Sequence, residues 1–134
     1  MTDPAQLAER YMYVVRTGDL AAAAAIAAPE ITFAIGGHPL PPGLGTFQMR
    51  AAGLNAAFSD VEVNVERVVA SDSSIAVLYR GGGVHTGPFG LGGPPLPPTG
   101  KRFSYIGAAF LTIRDGKVVA EEGVANLRDV LQSA

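Results

Sequence analysis

The sequence predicts a single α+β domain over residues 1–134, with three N-terminal helices packed on a curved, mostly antiparallel sheet. Apolar residues recur at helical spacing as far as Phe58, and from Val61 onward they alternate with polar residues, which is the period of a strand. Asp115-Gly116 separates two strand-like runs and is a strong signal for a hairpin turn. A curved sheet that closes over helices makes a cone with an apolar interior.

The composition narrows the class of protein. A chain of 134 residues with 48% hydrophobic and 16% charged residues can bury the core of one folded domain. The net charge of -2 and the lack of a basic run argue against nucleic acid and anionic membrane as partners. The absence of cysteine excludes disulfides, thiolate catalysis and cysteine-ligated zinc. No signal peptide and no bilayer-spanning apolar run are visible, so a cytoplasmic protein is expected.

Capping signals delimit the three predicted helices. Asp3 suits the N-cap of the first helix, and Pro4 suits its first position. Thr17-Gly18-Asp19 ends that helix and caps the second, which is predicted over residues 20–28. The third helix is predicted over residues 46–58.

The strand predictions follow the alternation of apolar and polar residues and the turn residues between them. Five strands are predicted. The first covers residues 31–35, the next three begin at residues 61, 75 and 103, and the last covers residues 117–126. The alternation fails at Val68 and Val69, which predicts a β-bulge near Arg67. Residues 36–43 are predicted as a loop, and residues 129–134 as a short tail.

A glycine- and proline-rich stretch, residues 81–102, interrupts the strand region and holds five of the ten prolines. Proline cannot donate to a sheet ladder, so the chain is predicted to leave the sheet near His85 and to re-enter it at Lys101 or Arg102. A histidine at a strand end, below a long loop, is a common position for a polar group of a pocket. The loop over residues 86–100 either closes the pocket as a lid or packs at a dimer interface.

Three local motifs, together with the order of the elements, resemble one known family. Ala57-Phe-Ser-Asp-Val61 is similar to the family's Ala-Phe-Pro-Asp-Leu, and Gly83-Val-His-Thr-Gly-Pro-Phe89 is similar to its Gly-Thr-His-Thr-Gly-Pro-Phe. The third motif is Pro98-Thr-Gly-Lys101, with Ile113-Arg-Asp-Gly-Lys-Val118 farther along. Over most of its length the chain thus resembles the SnoaL-like polyketide cyclase branch of the NTF2-like superfamily.

The resemblance implies a fold and a range of functions. The family has a cone-shaped NTF2-like barrel, is usually dimeric, and holds a pocket for a hydrophobic small molecule. It includes cyclases that close rings by aldol chemistry without a cofactor, and relatives that isomerise, hydrate epoxides or only bind. A homodimer that uses no cofactor is therefore expected, whereas fold alone does not settle the reaction.

The last strand departs from the family pattern. The family carries Glu-His-Trp-x-x-x-Asp there, and this chain has Ala120-Glu-Glu-Gly-Val-Ala-Asn126. Asn126 stands at the position of the acid/base aspartate, and an amide cannot exchange a proton at neutral pH. Glu122 is four residues earlier on the predicted strand, so it shares a face with Asn126 and can supply a carboxylate.

The candidate catalytic residues are His85, Glu122 and Asn126. His85 can act as a general acid or base, or as an oxyanion donor; alternatively it bonds a backbone carbonyl and fixes the loop. Glu122 can act as a base inside the cone; alternatively it is solvated, because it and its neighbour Glu121 must face opposite ways. Asn126 is expected to orient a ligand oxygen or a side chain.

Aromatic and apolar side chains are expected to line the pocket. The predicted substrate-binding residues are Tyr13, Phe33, Met49, Phe58, Tyr79 and Phe110. The chain's four tyrosines, at positions 11, 13, 79 and 105, can donate to a carbonyl oxygen, as in ketosteroid-isomerase-like relatives, and core packing explains them equally well. No His, Asp and Glu spacing typical of a metal site is present, so neither a metal nor a cofactor is expected.

The motifs and the apolar cone favour an enzyme of secondary metabolism. The leading hypothesis is a SnoaL-like cyclase or isomerase that acts on an apolar, carbonyl-bearing, polyketide-like intermediate. A non-catalytic NTF2-like domain that binds a small molecule or dimerises is the alternative from another class. An epoxide hydrolase of the same fold is the third hypothesis.

Overall fold

The computed structural model describes residues 3–90 and 94–133 and has α+β architecture. The elements are α1 Pro4–Thr17, α2 Leu20–Ile26, β1 Ala27–Ile35, β2 His38–Leu40, α3 Gly45–Ala57, β3 Phe58–Ala70, β4 Ser74–His85, β5 Arg102–Arg114, β6 Lys117–Ala125 and α4 Leu127–Ser133. The six strands form one sheet in the order β2-β1-β6-β5-β4-β3. Strands β1 and β6 run parallel, and the other neighbouring strands run antiparallel. This confirms the predicted sheet and helices.

The predicted caps of the first two helices are confirmed. The Asp3 side chain accepts a hydrogen bond from the backbone N–H of Gln6 at 3.4 Å. Gly18 ends α1 in the left-handed conformation, with φ of 69°, and its N–H donates to the Val14 carbonyl at 2.7 Å. Asp19 caps α2 by accepting from the N–H of Ala22 at 3.1 Å. These local interactions end α1 at Thr17 and begin α2 at Leu20, with only Gly18 and Asp19 between them.

The strand region confirms three sequence predictions. The pairing of β3 with β4 shifts register between Val65 and Arg67, which is the predicted bulge. Strand β5 begins at Arg102, where the chain was expected to re-enter the sheet. The turn residues Asp115 and Gly116 have φ of 53° and 76°, the positive values that a two-residue hairpin requires.

Three predicted boundaries are wrong. Helix α2 ends at Ile26 instead of residue 28, because Ala27 already begins β1 and pairs with Val118. The predicted loop over residues 36–43 contains β2, which pairs with β1. The predicted tail contains α4, which packs Leu131 into an apolar cluster. All three elements depend on tertiary contacts that the local sequence does not show.

The inner face of the sheet and the helices enclose the core. A large cluster contains Tyr11, Val14, Ile31, Phe33, Phe47, Val77, Leu111 and Val118, among others. A second cluster lies at the end of β4 and contains Ala57, Phe58, Phe89 and Leu131. The interior therefore has two packed regions joined by the middle of β4 and β5. Within the described residues, no helix has the length and apolar character needed to cross a membrane.

A lysine on β6 completes the C-terminal end of α2. The Lys117 ammonium donates to the carbonyls of Ala24 and Ala25 at 2.8 and 3.2 Å. Carbonyls at a helix C-terminus carry partial negative charge, so a cation there is stabilising. We expect Lys117→Met to lower the free energy of unfolding by about 1 kcal/mol in urea denaturation. Lys101→Met is the matched control, and an equal loss in both variants would contradict the role of Lys117.

Candidate ligand-binding interior

A buried ion pair joins the sheet to α3. Glu121 on β6 is 4% exposed and lies opposite Phe33 and Leu111, so its side chain faces inward. The Arg50 guanidinium on α3 donates to both carboxylate oxygens, from Nη1 to Oε1 at 2.7 Å and from Nη2 to Oε2 at 3.2 Å. The hydroxyl of Tyr11 on α1 donates to Oε1 as well. The carboxylate therefore accepts three hydrogen bonds, two of them from a fixed fork.

The charges of this network shift the pKa of its members. Burial lowers the pKa of Arg50, but the Glu121 carboxylate overcomes that effect, and the net pKa is raised. Burial, followed by the negative charge of Glu121, raises the pKa of Tyr11 well above its ordinary value. Arg50 therefore stays charged and Tyr11 stays protonated, and both remain hydrogen-bond donors.

Two further phenols, Tyr79 on β4 and Tyr105 on β5, lie on the same inner face. Their ring centroids are 6.3 Å apart in a T-shaped arrangement. Neither hydroxyl forms a hydrogen bond with another residue in the part of the chain that the structure describes. Burial raises the pKa of both tyrosines, helped at Tyr79 by Tyr105 and Glu121 and opposed at both by Arg50. Each is therefore a protonated donor with unused capacity at neutral pH.

The interior near Arg50 retains contact with solvent. The side chain of Arg50 is 14% exposed, and Val63 and Tyr79, which face inward, are half-buried. These partly exposed groups near Arg50 are inward-facing groups that solvent reaches. Two depressions of about 390 and 430 Å³ lie elsewhere, on the outer face around Gly82 and between α1 and α2.

The predicted orientation of Glu122 is wrong. Glu122 is exposed and lies opposite Phe110 on the outer face, whereas Glu121 faces inward. A shift of one residue exchanges the two faces of a strand, and the pairing with β1 and β5 sets which glutamate is inside. Glu121, the neighbour set aside in the sequence analysis, is thus the interior carboxylate.

Asn126 does not face the interior either. It is exposed, its Oδ1 accepts from the N–H of Ile106 at 2.9 Å, and its own N–H donates to the Ile106 carbonyl at 3.1 Å. Its carbonyl accepts from the N–H of Val130 in α4 at 3.0 Å. The residue therefore extends the β5–β6 ladder and begins α4, so the expectation that it orients a ligand is not supported by its contacts.

His85 combines features of both of its predicted roles. The imidazole is 1% exposed, lies 5.3 Å from the Phe58 ring, and has an Nε2 without a partner among the described residues. Its Nδ1 lies 3.5 Å from the Thr99 hydroxyl, a marginal hydrogen bond. Its backbone N–H and carbonyl bond Lys101 and Gly100 at 3.0 and 2.7 Å, which fastens the returning end of the loop. A catalytic role for His85 stays a prediction.

The register separates His85 from the ion pair. Glu121 pairs with Leu111, Leu111 pairs with Ile75, and His85 lies ten residues beyond Ile75 on β4. At about 3.3 Å per residue, this is roughly 33 Å along the strand. The imidazole and the Glu121 carboxylate therefore cannot act on one reacting atom, and the predicted partnership of His85 with a glutamate of β6 is wrong.

The predicted lining residues divide into two groups. Phe33 and Phe58 are each 3% exposed and face the interior, as does the half-buried Tyr79. The other three are exposed, Tyr13 at 44%, Met49 at 45% and Phe110 at 61%, and their role in binding stays a prediction. Tyr13 and Met49 lie on outer sides of α1 and α3, and Phe110 lies on the outer face of the sheet.

Sequence reasoning missed Arg50 as a member of the site. A signal was present, because Arg50 lies three residues after Phe47 and four before Leu54, on the apolar side predicted for the third helix. A charged side chain on such a face either extends its charged end to solvent or is buried in an ion pair. The guanidinium lies over the Phe33 ring at 5.5 Å, and its ion pair makes it the buried partner. No three His, Asp or Glu residues that the structure describes form a metal cluster.

The ion pair has a measurable effect on stability. Arg50→Met leaves the Glu121 carboxylate buried with the Tyr11 phenol as its remaining partner. We expect a loss of about 3 kcal/mol in the free energy of unfolding, measured by urea denaturation. Arg102→Met removes the exposed ion pair with Asp60, at 3.3 Å, and should cost less than about 0.5 kcal/mol. Similar losses in the two variants would contradict a buried, coupled pair.

Comparisons with known proteins place the chain among solved relatives. No curated protein matches it. A structure from Jannaschia sp. CCS1, provisionally described as a SnoaL-like polyketide cyclase, has a TM-score of 0.76 and 22% identity, and the match covers 98% of this chain and 94% of that one. IdmH from Streptomyces antibioticus, provisionally described as a polyketide cyclase, has a TM-score of 0.76 and 21% identity over 98% and 97%.

A third similar structure has a different provisional description. AclR from Streptomyces galilaeus, provisionally a hydroxylase, has a TM-score of 0.73 and 25% identity over 98% of this chain and 85% of its own. These likenesses establish the NTF2-like fold. The family model for SnoaL-like polyketide cyclases matches residues 5–133, and the chain therefore belongs to the SnoaL-like polyketide cyclase family.

Proposed function

We propose that the protein is a cofactor-independent cyclase or isomerase of secondary metabolism that acts on an apolar, carbonyl-bearing, polyketide-like intermediate. The observation that carries the proposal is the pair of unpartnered phenols, Tyr79 and Tyr105, on the inner face beside the charged Arg50. Family membership supports the class of reaction. The apolar walls of the cone suit a substrate without its own charge.

The phenols can activate an electrophilic carbonyl. When an enol carbon of the substrate attacks that carbonyl carbon, a C–C bond forms and negative charge develops on the carbonyl oxygen. A donor already aimed at this oxygen stabilises the charge, and it loses little energy in reorganisation. The new alkoxide takes a proton from one of the phenols, the enol O–H releases its proton to water, and water returns a proton to the phenol, which restores the donor. Folding the substrate within the cone supplies the approach of the two carbons.

His85 enters this proposal at a separate place. It lies four residues beyond Gly81, the residue opposite Tyr105, or about 13 Å along the strand. Between them lie Phe103 and Phe58, with ring centroids 4.7 Å apart. His85 can therefore exchange a proton only with a part of an extended substrate that is remote from the phenols.

A non-catalytic binding domain is the second candidate. Among the described residues Glu121 is the single buried carboxylate, and both of its oxygens are held by Arg50. No carboxylate in this part of the chain is thus free to serve as an interior base. The same observation weighs against an epoxide hydrolase, which would need a carboxylate pair that holds a water.

A proton-exchange assay tests the proposal. In deuterated buffer, α-tetralone should exchange its α-protons faster with the protein than without it, as followed by proton NMR. The double variant Tyr79→Phe/Tyr105→Phe should lose about a hundredfold of this acceleration, because the oxygen loses both donors. Tyr13→Phe, at an exposed tyrosine, is the matched control and should keep the parent rate.

Three outcomes separate the candidates. Ketone binding is measured by tyrosine fluorescence. Binding without proton exchange would contradict the enzyme hypothesis and favour the non-catalytic binding domain. Equal rates in the parent and the double variant would remove the phenols from the mechanism. His85→Ala is measured beside them: a folded variant with the parent rate would remove His85, whereas unchanged affinity with lost exchange would make it catalytic.

We also infer a homodimer through the outer face of the sheet. Three large apolar side chains are exposed there: Val69 at 62%, Phe110 at 61% and Val124 at 58%. A contiguous apolar sheet face of this kind is typical of a protein interface. Arg80 and Glu122 lie at diagonally opposite corners of this face. A twofold axis near its centre can therefore bring Arg80 of each copy close to Glu122 of the other copy.

The dimer is tested by a charge placed in the apolar face. Phe110→Asp should turn a dimer into a monomer in analytical ultracentrifugation, because two carboxylates would be desolvated at the contact. Leu20→Asp, at an exposed leucine of α2, is the control and should stay dimeric. A monomeric parent protein at micromolar concentration would overturn the inference.

A further inference from the structure

Two glycines lie directly beneath the two unpartnered phenols. Tyr79 pairs across the strands with Gly107, and Gly81 pairs with Tyr105. A Cβ on Gly107 would lie 2.3 Å from Cζ and 2.4 Å from the hydroxyl oxygen of Tyr79. A Cβ on Gly81 would lie 2.4 Å from Cζ and 2.5 Å from the hydroxyl oxygen of Tyr105. Each phenol thus extends across to its facing strand, with its hydroxyl end over a glycine.

Space, and not backbone conformation, explains both glycines. Neither Gly81 nor Gly107 has a positive φ, so any residue could adopt the backbone at these positions. Glycine in the interior of a strand is destabilising by about 0.5–1 kcal/mol relative to alanine. Because the two Tyr–Gly pairs are adjacent and reciprocal, each ring extends over the facing strand, and the two rings meet edge to face.

We propose that Gly81 and Gly107 are positioning residues that hold the Tyr105 and Tyr79 hydroxyls on the floor of the interior, where a carbonyl oxygen can reach both donors from above. This proposal rests on the proposed function of the phenols. A methyl group at either glycine lifts the opposing ring off the sheet, which moves its hydroxyl and fills ligand space. The effect is specific to each pair: Gly81 controls Tyr105, and Gly107 controls Tyr79.

Alkaline titration of the free protein measures ring position without any ligand. The ultraviolet absorbance of tyrosinate reports each ionisation, and the Tyr79→Phe and Tyr105→Phe variants assign the ionisations of these two phenols. In Gly81→Ala the pKa of Tyr105 should fall toward its ordinary value, because the lifted ring loses the burial that raises it. Gly107→Ala should do the same to Tyr79. Gly45→Ala is the control, because a Cβ there meets no atom within 4 Å.

The exchange assay then links position to reaction. Gly81→Ala and Gly107→Ala should each slow α-tetralone exchange by at least about tenfold, while Gly45→Ala keeps the parent rate. Unchanged titration of the facing tyrosine would overturn the positioning role. A shifted titration with an unchanged exchange rate would overturn its part in the reaction. A parent protein without exchange would overturn the proposed function, and the titration would still decide whether the glycines set the rings.

A double variant controls for the possibility that Gly81→Ala does not fold. In Gly81→Ala/Tyr105→Leu the ring that would collide with the new methyl group is gone. Recovery of the folded circular dichroism spectrum in the double variant, with the loss of exchange retained, supports the proposal. Failure of both variants to fold would show that Gly81 is required for another reason and would overturn the proposal at that position.

Discussion

The Arg50–Glu121 ion pair, with the Tyr11 phenol, is the interaction on which the rest of the interior depends. It connects α3, β6 and α1, so one carboxylate fixes the position of two helices against the sheet. Removing two charges from water is costly, and the forked geometry and the third hydrogen bond offset that cost. Because the pair occupies the carboxylate completely, the remaining polar groups nearby are donors, and the interior suits an oxygen-bearing ligand without charge.

The protonation state and the free hydroxyls of Tyr79 and Tyr105 depend on their burial beside this ion pair. Burial raises the pKa of Tyr79 and Tyr105 and outweighs the opposing charge of Arg50, so both phenols remain neutral beside a charged network. A tyrosine in such a place would ordinarily turn its hydroxyl to a backbone carbonyl or to a carboxylate. Here the facing glycines let each ring extend over the neighbouring strand, and the ladder beneath them is already satisfied, which leaves the hydroxyls available to a ligand.

The sequence predicted what local interactions determine. The caps at Asp3 and Asp19, the bulge near Arg67 and the Asp115-Gly116 turn need only near neighbours, and all are present. Strand β2 and helix α4 were missed because each is stabilised by pairing or packing with distant residues. The inward glutamate was mistaken for its neighbour because alternation defines two faces without saying which is buried. Arg50 was missed because its ion pair joins residues 71 positions apart in the sequence, although its spacing placed it on the apolar side.

The two ends of the interior differ in the freedom of their side chains. At the His85 end, Phe58, Phe89 and Leu131 form a packed cluster, and the N–H groups of Thr86 and Gly87 both bond the Ala57 carbonyl. Phe89 pairs with Leu96 across the loop, so the described parts of the glycine- and proline-rich segment are tied to this cluster; residues 91–93 lie outside the described residues. At the Arg50 end, inward-facing groups keep partial exposure. Tyr79 is thus one of the partly exposed inward-facing groups, and the loop motif that resembles the family supports the fold at the opposite end.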